Sequence, residues 1–412
     1  MNLPEDFIRE TRLMMGEKRF NRFMEALQEE PPVSIRLNPR KVSQKSRPHA
    51  AFVPWCPEGI YLEGRPQFTF DPLFHAGCYY VQEASSMFIT HVLRTLIAQH
   101  FPPAAPLRML DLCAAPGGKS TAAVSVLPEG SWLTSNEPIR SRYMILEENM
   151  TKWGYDNCTV TNLYPRDIRK RKETFDVILC DVPCSGEGMF RKDPATTNEW
   201  SLKNVERCWR LQREIVAEAW KCLNPGGVLI YSTCTYNIKE NEENVRYFME
   251  EYGAELLSIP TDPEWGISGS LLEGFDAPVY RFIPGFTQGE GLFMAVLQHR
   301  GTVPCVSKEH QRLNYTGTVP SVLRRLTPDL PQGDFPRIDL SYADALKYLR
   351  GEALVLPEDT PRGMVTVTYK GFSLGPAKNL GTRANNLYPK AWRIKTTHLP
   401  TVPPQILELP HP

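Results

Sequence analysis

Val177-Ile178-Leu179-Cys180-Asp181-Val182-Pro183-Cys184-Ser185-Gly186 is an apolar run of strand length that breaks into a polar turn carrying a thiol. The same design recurs at Val228-Leu229-Ile230-Tyr231-Ser232-Thr233-Cys234-Thr235-Tyr236. Such runs, separated by a helical stretch from about Trp200 to Leu223, read as strands of a parallel sheet buried on both faces. In such a sheet, ligands bind beyond the carboxyl ends of the strands. Cys184 and Cys234 are therefore expected at the rim where chemistry takes place. Free cysteine is more often a small buried filler; position directly after a strand is what sets these two apart.

Outward from these runs the α/β alternation continues. Met87 to Ala98 reads as a helix, and Leu107-Arg108-Met109-Leu110-Asp111-Leu112 as a strand. Gly130 to Thr134 and Leu292 to Leu297 supply further strands, and Asn224-Pro225-Gly226-Gly227 is a strong turn. The pattern predicts an α/β fold, a mostly parallel and doubly wound Rossmann-like sheet. Before it, residues 1–75 look like a small α+β unit: helical pieces around Gly16, then the alternating strand Val33-Ser34-Ile35-Arg36-Leu37-Asn38. The catalytic unit is set at 76–300. A proline-rich linker covers 301–335, and a third unit spans 336–398, with a helix at Ser341 to Leu349 and a strand at Met364 to Tyr369. Residues 399–412 hold five prolines and read as a disordered tail.

Composition excludes several classes. Hydrophobic content of 42% and charged content of 23% belong to an ordinary globular protein. No run of eighteen apolar residues is present, so no membrane span is expected. Ten cysteines without a Cys-x-x-Cys spacing, and no secretory leader, predict a cytoplasmic protein without a bound metal. No coiled-coil heptads appear, and a monomer is expected. Net charge is zero, but Lys370, Lys378, Arg383, Lys390, Arg393 and Lys395 form a basic run without an acid between them. Beside Phe372, Tyr388 and Trp392, that run reads as a nucleic-acid surface.

The loop Asp111-Leu112-Cys113-Ala114-Ala115-Pro116-Gly117-Gly118-Lys119-Ser120-Thr121 leaves a strand and opens a helix. It is not a phosphate loop, because Cys113 stands where that motif needs a glycine. The dinucleotide fingerprint is absent too. A glycine turn followed about 20 residues on by Glu137, just after the next strand, fits any adenosine-bearing cofactor.

Taken together, the loop at 111–119, Asp181-Val182-Pro183-Cys184-Ser185-Gly186-Glu187-Gly188 and Tyr231-Ser232-Thr233-Cys234-Thr235 resemble the Nop/Sun family of RNA cytosine-5 methyltransferases. Further matches are Ser34 to Asn38, Gln82 to Met87, Phe190 to Pro194 and Arg281 to Pro284. Tyr348 to Glu352 and Asn385 to Pro389 look like the PUA-like appendage of that family's bacterial, small-subunit ribosomal RNA branch. The resemblance implies S-adenosylmethionine as cofactor, with Cys113, Ala114, Ala115, Pro116, Gly117, Gly118 and Lys119 lining its loop. It implies Glu137 on the ribose and Asp181 at the junction of cofactor and base. Asp167 becomes the candidate adenine contact, because Tyr164 stands where many relatives carry an acid. Cys234 is implied as the nucleophile, and Cys184 as the group that assists proton removal and release.

The implied partner is structured RNA, 16S-type rRNA first and tRNA second, gripped by the strand carrying Arg36 and by the basic C-terminal unit. A competing reading is a non-catalytic RNA-binding ribosome-assembly factor, against which the presence of both cysteines, Asp181 and Lys119 speaks. A nicotinamide oxidoreductase fits the sheet but has no use for two rim thiols.

Overall fold

The structure, a computed structural model, describes residues 2–43, 51–301, 323–325, 335–396 and 398–409. The chain opens with helix α1 (Glu5–Ala26), kinked where Gly16 takes φ +71°. A first sheet follows, from β1 (Val33–Leu37), β2 (Phe52–Val53), β3 (Cys56–Leu62) and, after the short helix α2 (Pro72–His75), β4 (Tyr79–Val81). Its order is β2-β3-β1-β4. The sheet thus closes beyond the boundary expected at residue 75. Tyr79-Tyr80-Val81 is too short to show a period of its own, and only pairing with β1 identifies it as a strand.

The central sheet is built from β5 (Arg108–Asp111), β6 (Trp132–Asn136), β7 (Cys158–Thr161), β8 (Phe175–Asp181) and β9 (Leu223–Thr233), all parallel where they pair. Helices α3 (Phe88–Gln99), α4 (Gly118–Val124), α5 (Arg140–Trp153), α6 (Pro165–Lys170), α7 (Leu202–Trp220) and α8 (Glu242–Tyr252) cover it. Three late strands join one edge: β10 (Glu255–Leu256), β11 (Val279–Phe282) and β12 (Leu292–Gln298), the last antiparallel to β9. At the other edge β13 (Leu323–Arg325) runs antiparallel to β7, and the rest of the expected linker lies outside the described residues. The order is β10-β12-β9-β8-β5-β6-β7-β13.

Burial explains the unbroken apolar runs. Along β8, Val177 and Leu179 enter the core with α3 and α4, while Ile178 and Cys180 enter the one with α7 and α8. Both faces are therefore dry, and no polar alternation survives. The Asn224–Gly227 turn is absorbed into β9 as an irregularity opposite Phe175 to Val177.

The third unit has β14 (Arg337–Asp339), α9 (Tyr342–Arg350), β15 (Gly363–Tyr369), β16 (Phe372–Asn379) and β17 (Ala384–Asn386), with sheet order β14-β15-β16-β17. Its core is continuous with the first sheet: Leu346, Leu349 and Val365 share one cluster with Ile35, Leu37 and Ile60. Residues 398–409 depart from the disorder expected of a proline-rich tail. Ile406 and Leu407 are buried in that same cluster, because apolar side chains follow the prolines and find a surface to cover. Tyr388 is likewise 2% exposed and belongs to this core rather than to a base-stacking surface. No described helix is long and apolar enough to cross a membrane.

Candidate active site

Parallel pairing of β8 with β9 sets Asp181 opposite Ser232, so both strands end at the same level. The chain leaves each end into a loop, and the two thiols meet there, with Cys184 Sγ 3.1 Å from Cys234 Sγ. Both residues are half-buried, whereas the other seven described cysteines are buried. The two thiols singled out in the sequence are thus the accessible ones among the described residues. The shared hydrogen bond is the largest cause lifting the Cys184 pKa well above the ordinary thiol value, with burial second. Cys184 therefore keeps its proton, and either sulfur can be the donor in the bond they share.

Beside the thiols, Lys119 Nζ donates to Asp181 Oδ2 at 2.8 Å. Burial works against the Lys119 ammonium, but the Asp181 carboxylate outweighs it. With help from Cys234, the lysine pKa is held above its ordinary value.

Asp181 also lines a pocket of about 170 Å³. One wall is Asp111, Cys113, Ala114, Ala115, Pro116, Gly118 and Lys119; the other is Tyr80 to Glu83 with Ser86. Gly117 makes the turn possible with φ +109°, a value that side chains avoid. Asp111 is wholly buried, and its Oδ2 accepts from Ser120 Oγ at 2.6 Å while Oδ1 has no hydrogen-bond partner. Burial, with the Asp181 charge adding to it, pushes this carboxyl up to about 7.

Two expected cofactor residues stand outside that wall. Glu137 follows β6 and is 1% exposed, with Oε1 accepting from Ile139 N at 2.9 Å and Oε2 ion-paired with Arg142 at 3.2 Å. Asp167 lies on the first turn of α6, about one-third exposed and ion-paired with Lys170 at 3.0 Å.

Arg36 corrects an expectation. It was to grip RNA, but it is 1% exposed and cannot. Its Nε donates to Gln82 Oε1 at 2.7 Å, and its Nη2 donates to Thr121 Oγ1 at 2.6 Å and to the Gly118 carbonyl at 3.2 Å. The guanidinium also stands over the Trp153 ring at 4.6 Å. Burial pulls its pKa down to about 10, so it is still a cation at neutral pH. Ile35 and Leu37 mark one face of the alternating strand and Arg36 the other, so the period alone put Arg36 on a solvated face; in the fold α4 covers that face.

Sequence reasoning also missed what holds the two thiol loops. Glu187 and Glu240 are buried there, tied through Asn237 and Gln212. Helix α1 packs over them, with Phe7 edge-on to Phe190 and Phe23 edge-on to Tyr236.

Three family models match the chain. Residues 98–298 match the one described as 16S rRNA methyltransferase RsmB/F. Residues 3–84 match the N-terminal domain of 16S rRNA methyltransferase RsmF, and residues 335–394 match the methyltransferase RsmF PUA domain. Ribosomal RNA small subunit methyltransferase F of Serratia proteamaculans is 33% identical over 76% of this chain and 66% of its own length. The Pectobacterium atrosepticum protein of the same name is 34% identical over 74% of this chain and 64% of its own length. These alignments span a little under two thirds of such relatives. The Enterobacter protein of that name aligns over 94% of this chain and 95% of its own length at 29% identity. Among solved structures, NSun6 from Pyrococcus horikoshii with SFG superposes with TM-score 0.60 at 22% identity, covering 72% of this chain and 98% of that one. A methyltransferase homolog from the same organism gives 0.58 at 24%, covering 72% and 100%. At these identities the likeness shows a shared fold.

Proposed function

Because the chain belongs to the RsmB/F family of 16S rRNA methyltransferases, we propose that it methylates carbon 5 of a cytosine in small-subunit rRNA, using S-adenosylmethionine and a covalent bond from Cys234. The observation that carries this reading is the pair of half-buried thiols 3.1 Å apart beside the Lys119–Asp181 ion pair.

The pocket fits the cofactor in kind. A turn of small residues and a buried carboxylate oxygen without a partner offer backbone and acceptor groups to an adenosine-bearing ligand, whose ribose and adenine we assign to Glu137 and Asp167. When bound there, S-adenosylmethionine supplies the methyl group on a positively charged sulfur. A relative of this fold was solved with SFG, an analogue of that cofactor.

The chain's own residues account for the rest. Cys234 as thiolate adds to carbon 6 of the flipped-out cytosine, and the electrons of the 5,6 double bond move to carbon 5, which becomes nucleophilic. Lys119 favours the thiolate through its charge. After methylation the carbon 5 proton must leave. Covalent bonding takes up the Cys234 sulfur, and with it the shared hydrogen bond that is the largest cause raising the Cys184 pKa. Cys184 can then lose its proton to solvent and, as a thiolate, accept the carbon 5 proton. The freed electron pair restores the double bond, and the carbon–sulfur pair returns to Cys234. Asp181 stands to accept from the exocyclic amine of cytosine, a hydrogen bond that uracil does not offer.

RNA backbone is taken by the exposed face of the C-terminal unit, where Lys370, Lys378, Arg383, Lys390 and Lys395 are solvent-facing. Bisulfite sequencing of 16S rRNA from cells with and without the gene tests the reading. One cytosine protected only when the gene is present supports it; identical profiles contradict it.

A further inference from the structure

The loop after Cys184 and the loop after Cys234 hold each other by exchanging carboxylates. Glu187 belongs to the first loop, and its Oε2 accepts from Tyr236 N at 2.7 Å and Asn237 N at 3.0 Å in the second. Glu240 belongs to the second, and its Oε2 accepts from Ser185 N at 3.0 Å in the first. Asn237 Nδ2 bridges the two acids, donating to Glu187 Oε1 at 2.9 Å and Glu240 Oε1 at 2.8 Å. The residues directly after the cysteines are joined as well, Ser185 Oγ to Thr235 Oγ1 at 2.9 Å. Gly188 N donates to the Cys234 carbonyl at 2.9 Å, an approach so close that a Cβ on Gly188 would stand 2.9 Å from that oxygen.

This network is expensive for a purely structural tie. Both acids are buried, 2% and 0% exposed, and among the described residues neither forms an ion pair. Burial and the neighbouring Glu187 charge push Glu240 up to about 7. Neutral side chains of similar volume would hold two loops at lower cost. What carboxylates add is several strong acceptor sites on one rigid plane, which fix backbone N–H groups of a facing loop in register.

We propose that Glu187 and Glu240 are positioning residues for the release step, holding Cys184 against Cys234; this rests on the cytosine-5 reading above. The two thiols are not held equally. Cys234 directly follows β9, and its surroundings are also fixed by Asn241, whose Oδ1 accepts from Thr233 Oγ1 at 2.6 Å and whose Nδ2 donates to the Thr235 carbonyl at 2.9 Å. Cys184 lies three residues beyond β8, and its neighbours on either side are anchored through Glu240, directly at Ser185 N and through Gln212, which Glu240 holds, at the Pro183 carbonyl. Glu240→Gln turns its amide nitrogen either toward Ser185 N and Gln212 Nε2 or toward Asn237 Nδ2, all of them donors, so the Cys184 loop should shift while Cys234 stays. Bond formation at carbon 6 then survives, and removal of the carbon 5 proton slows.

The test uses the full chain, S-adenosylmethionine with a labelled methyl group, and 16S rRNA from a strain lacking the gene. Covalent protein–RNA adduct on denaturing gels is compared with released methylated RNA for wild type, Cys184→Ala, Glu240→Gln and the double variant. The proposal expects Glu240→Gln to raise the adduct-to-product ratio at least about tenfold. It also expects no further rise when Glu240→Gln is added to Cys184→Ala, since both act on one step. Should Glu240→Gln fold poorly, Asn237→Ala removes the bridge together with the amide's bonds to Ser185 Oγ, Thr235 Oγ1 and Glu240 N but leaves both acids in place, and it should raise the ratio in the same direction by less. Adduct and product falling together, or effects that add in the double variant, overturn the clamp. Absence of any adduct in Cys184→Ala overturns the cytosine-5 reading itself, and the clamp with it.

Discussion

The loop after β5 and the paired loops after β8 and β9 stand at the same edge of one sheet, yet their polar fastenings have opposite sign. The first is held from outside by a cation: Arg36, on the N-terminal sheet, binds the Gly118 carbonyl and Thr121 Oγ1 of the α4 turn. The second is covered by α1, but its polar register comes from Glu187 and Glu240 within the loops themselves. The contrast divides the labour. Affinity for the cofactor should depend on the N-terminal sheet being docked, whereas the spacing of the thiols should depend on the two buried acids.

The hardest blow to that division is Arg36→Met. It removes a buried cation from Gln82 Oε1, Thr121 Oγ1, the Gly118 carbonyl and the Trp153 face, and a loss of about 3–5 kcal/mol is expected, measured by urea unfolding. Fluorescence titration should show cofactor affinity falling about tenfold or more, with adduct formation at saturating cofactor little changed. Equal loss of both would erase the distinction.

Asp111 sharpens the comparison through pH. Its folded carboxyl sits near 7, above the ordinary 3.8, so its contribution to stability is full below about pH 4 and is lost as pH rises through 7. Asp111→Asn does not titrate. It should therefore gain on the wild type across that window by on the order of 2–4 kcal/mol, seen as converging or crossing melting curves. A difference flat with pH would refute the buried-acid assignment.

Gly188→Ala addresses the other region. Its Cβ would meet the Gly291 carbonyl at 2.8 Å and that of Cys234 at 2.9 Å, and about 1–3 kcal/mol of destabilisation is expected. The cofactor titration should be unaffected, while adduct formation drops. Asp167→Asn is the mildest change. An ion pair one-third exposed on a first helical turn is worth about 0–1 kcal/mol, so cofactor affinity should move no more than a few-fold.

The sequence disclosed most where a single strand or turn decides the outcome. Val177 to Cys180 in β8 and Val228 to Tyr231 in β9 are unbroken apolar runs because both sheet faces are dry, and the thiols follow within three residues of the strand ends. The Gly117 turn is equally local. Partnerships across the chain were not legible. Arg36 meets Thr121 from 85 residues away, and Glu187 meets Tyr236 from 49. A charged residue in a strand or turn looks solvated until the facing element is known, which is why Arg36 was read as an RNA contact and Tyr388 as a stacking platform. The expectation of a disordered tail failed similarly, since prolines forbid regular structure but not the packing that buries Ile406 and Leu407.

The central claim is that the sulfur of Cys234, not that of Cys184, bonds to the base. Mass spectrometry of the nuclease-digested Cys184→Ala protein–RNA adduct tests it directly. The account predicts a methylated cytosine nucleotide on the peptide containing Cys234, and no adduct from Cys234→Ala. The nucleotide attached through Cys184 in a Cys234→Ala protein would contradict it.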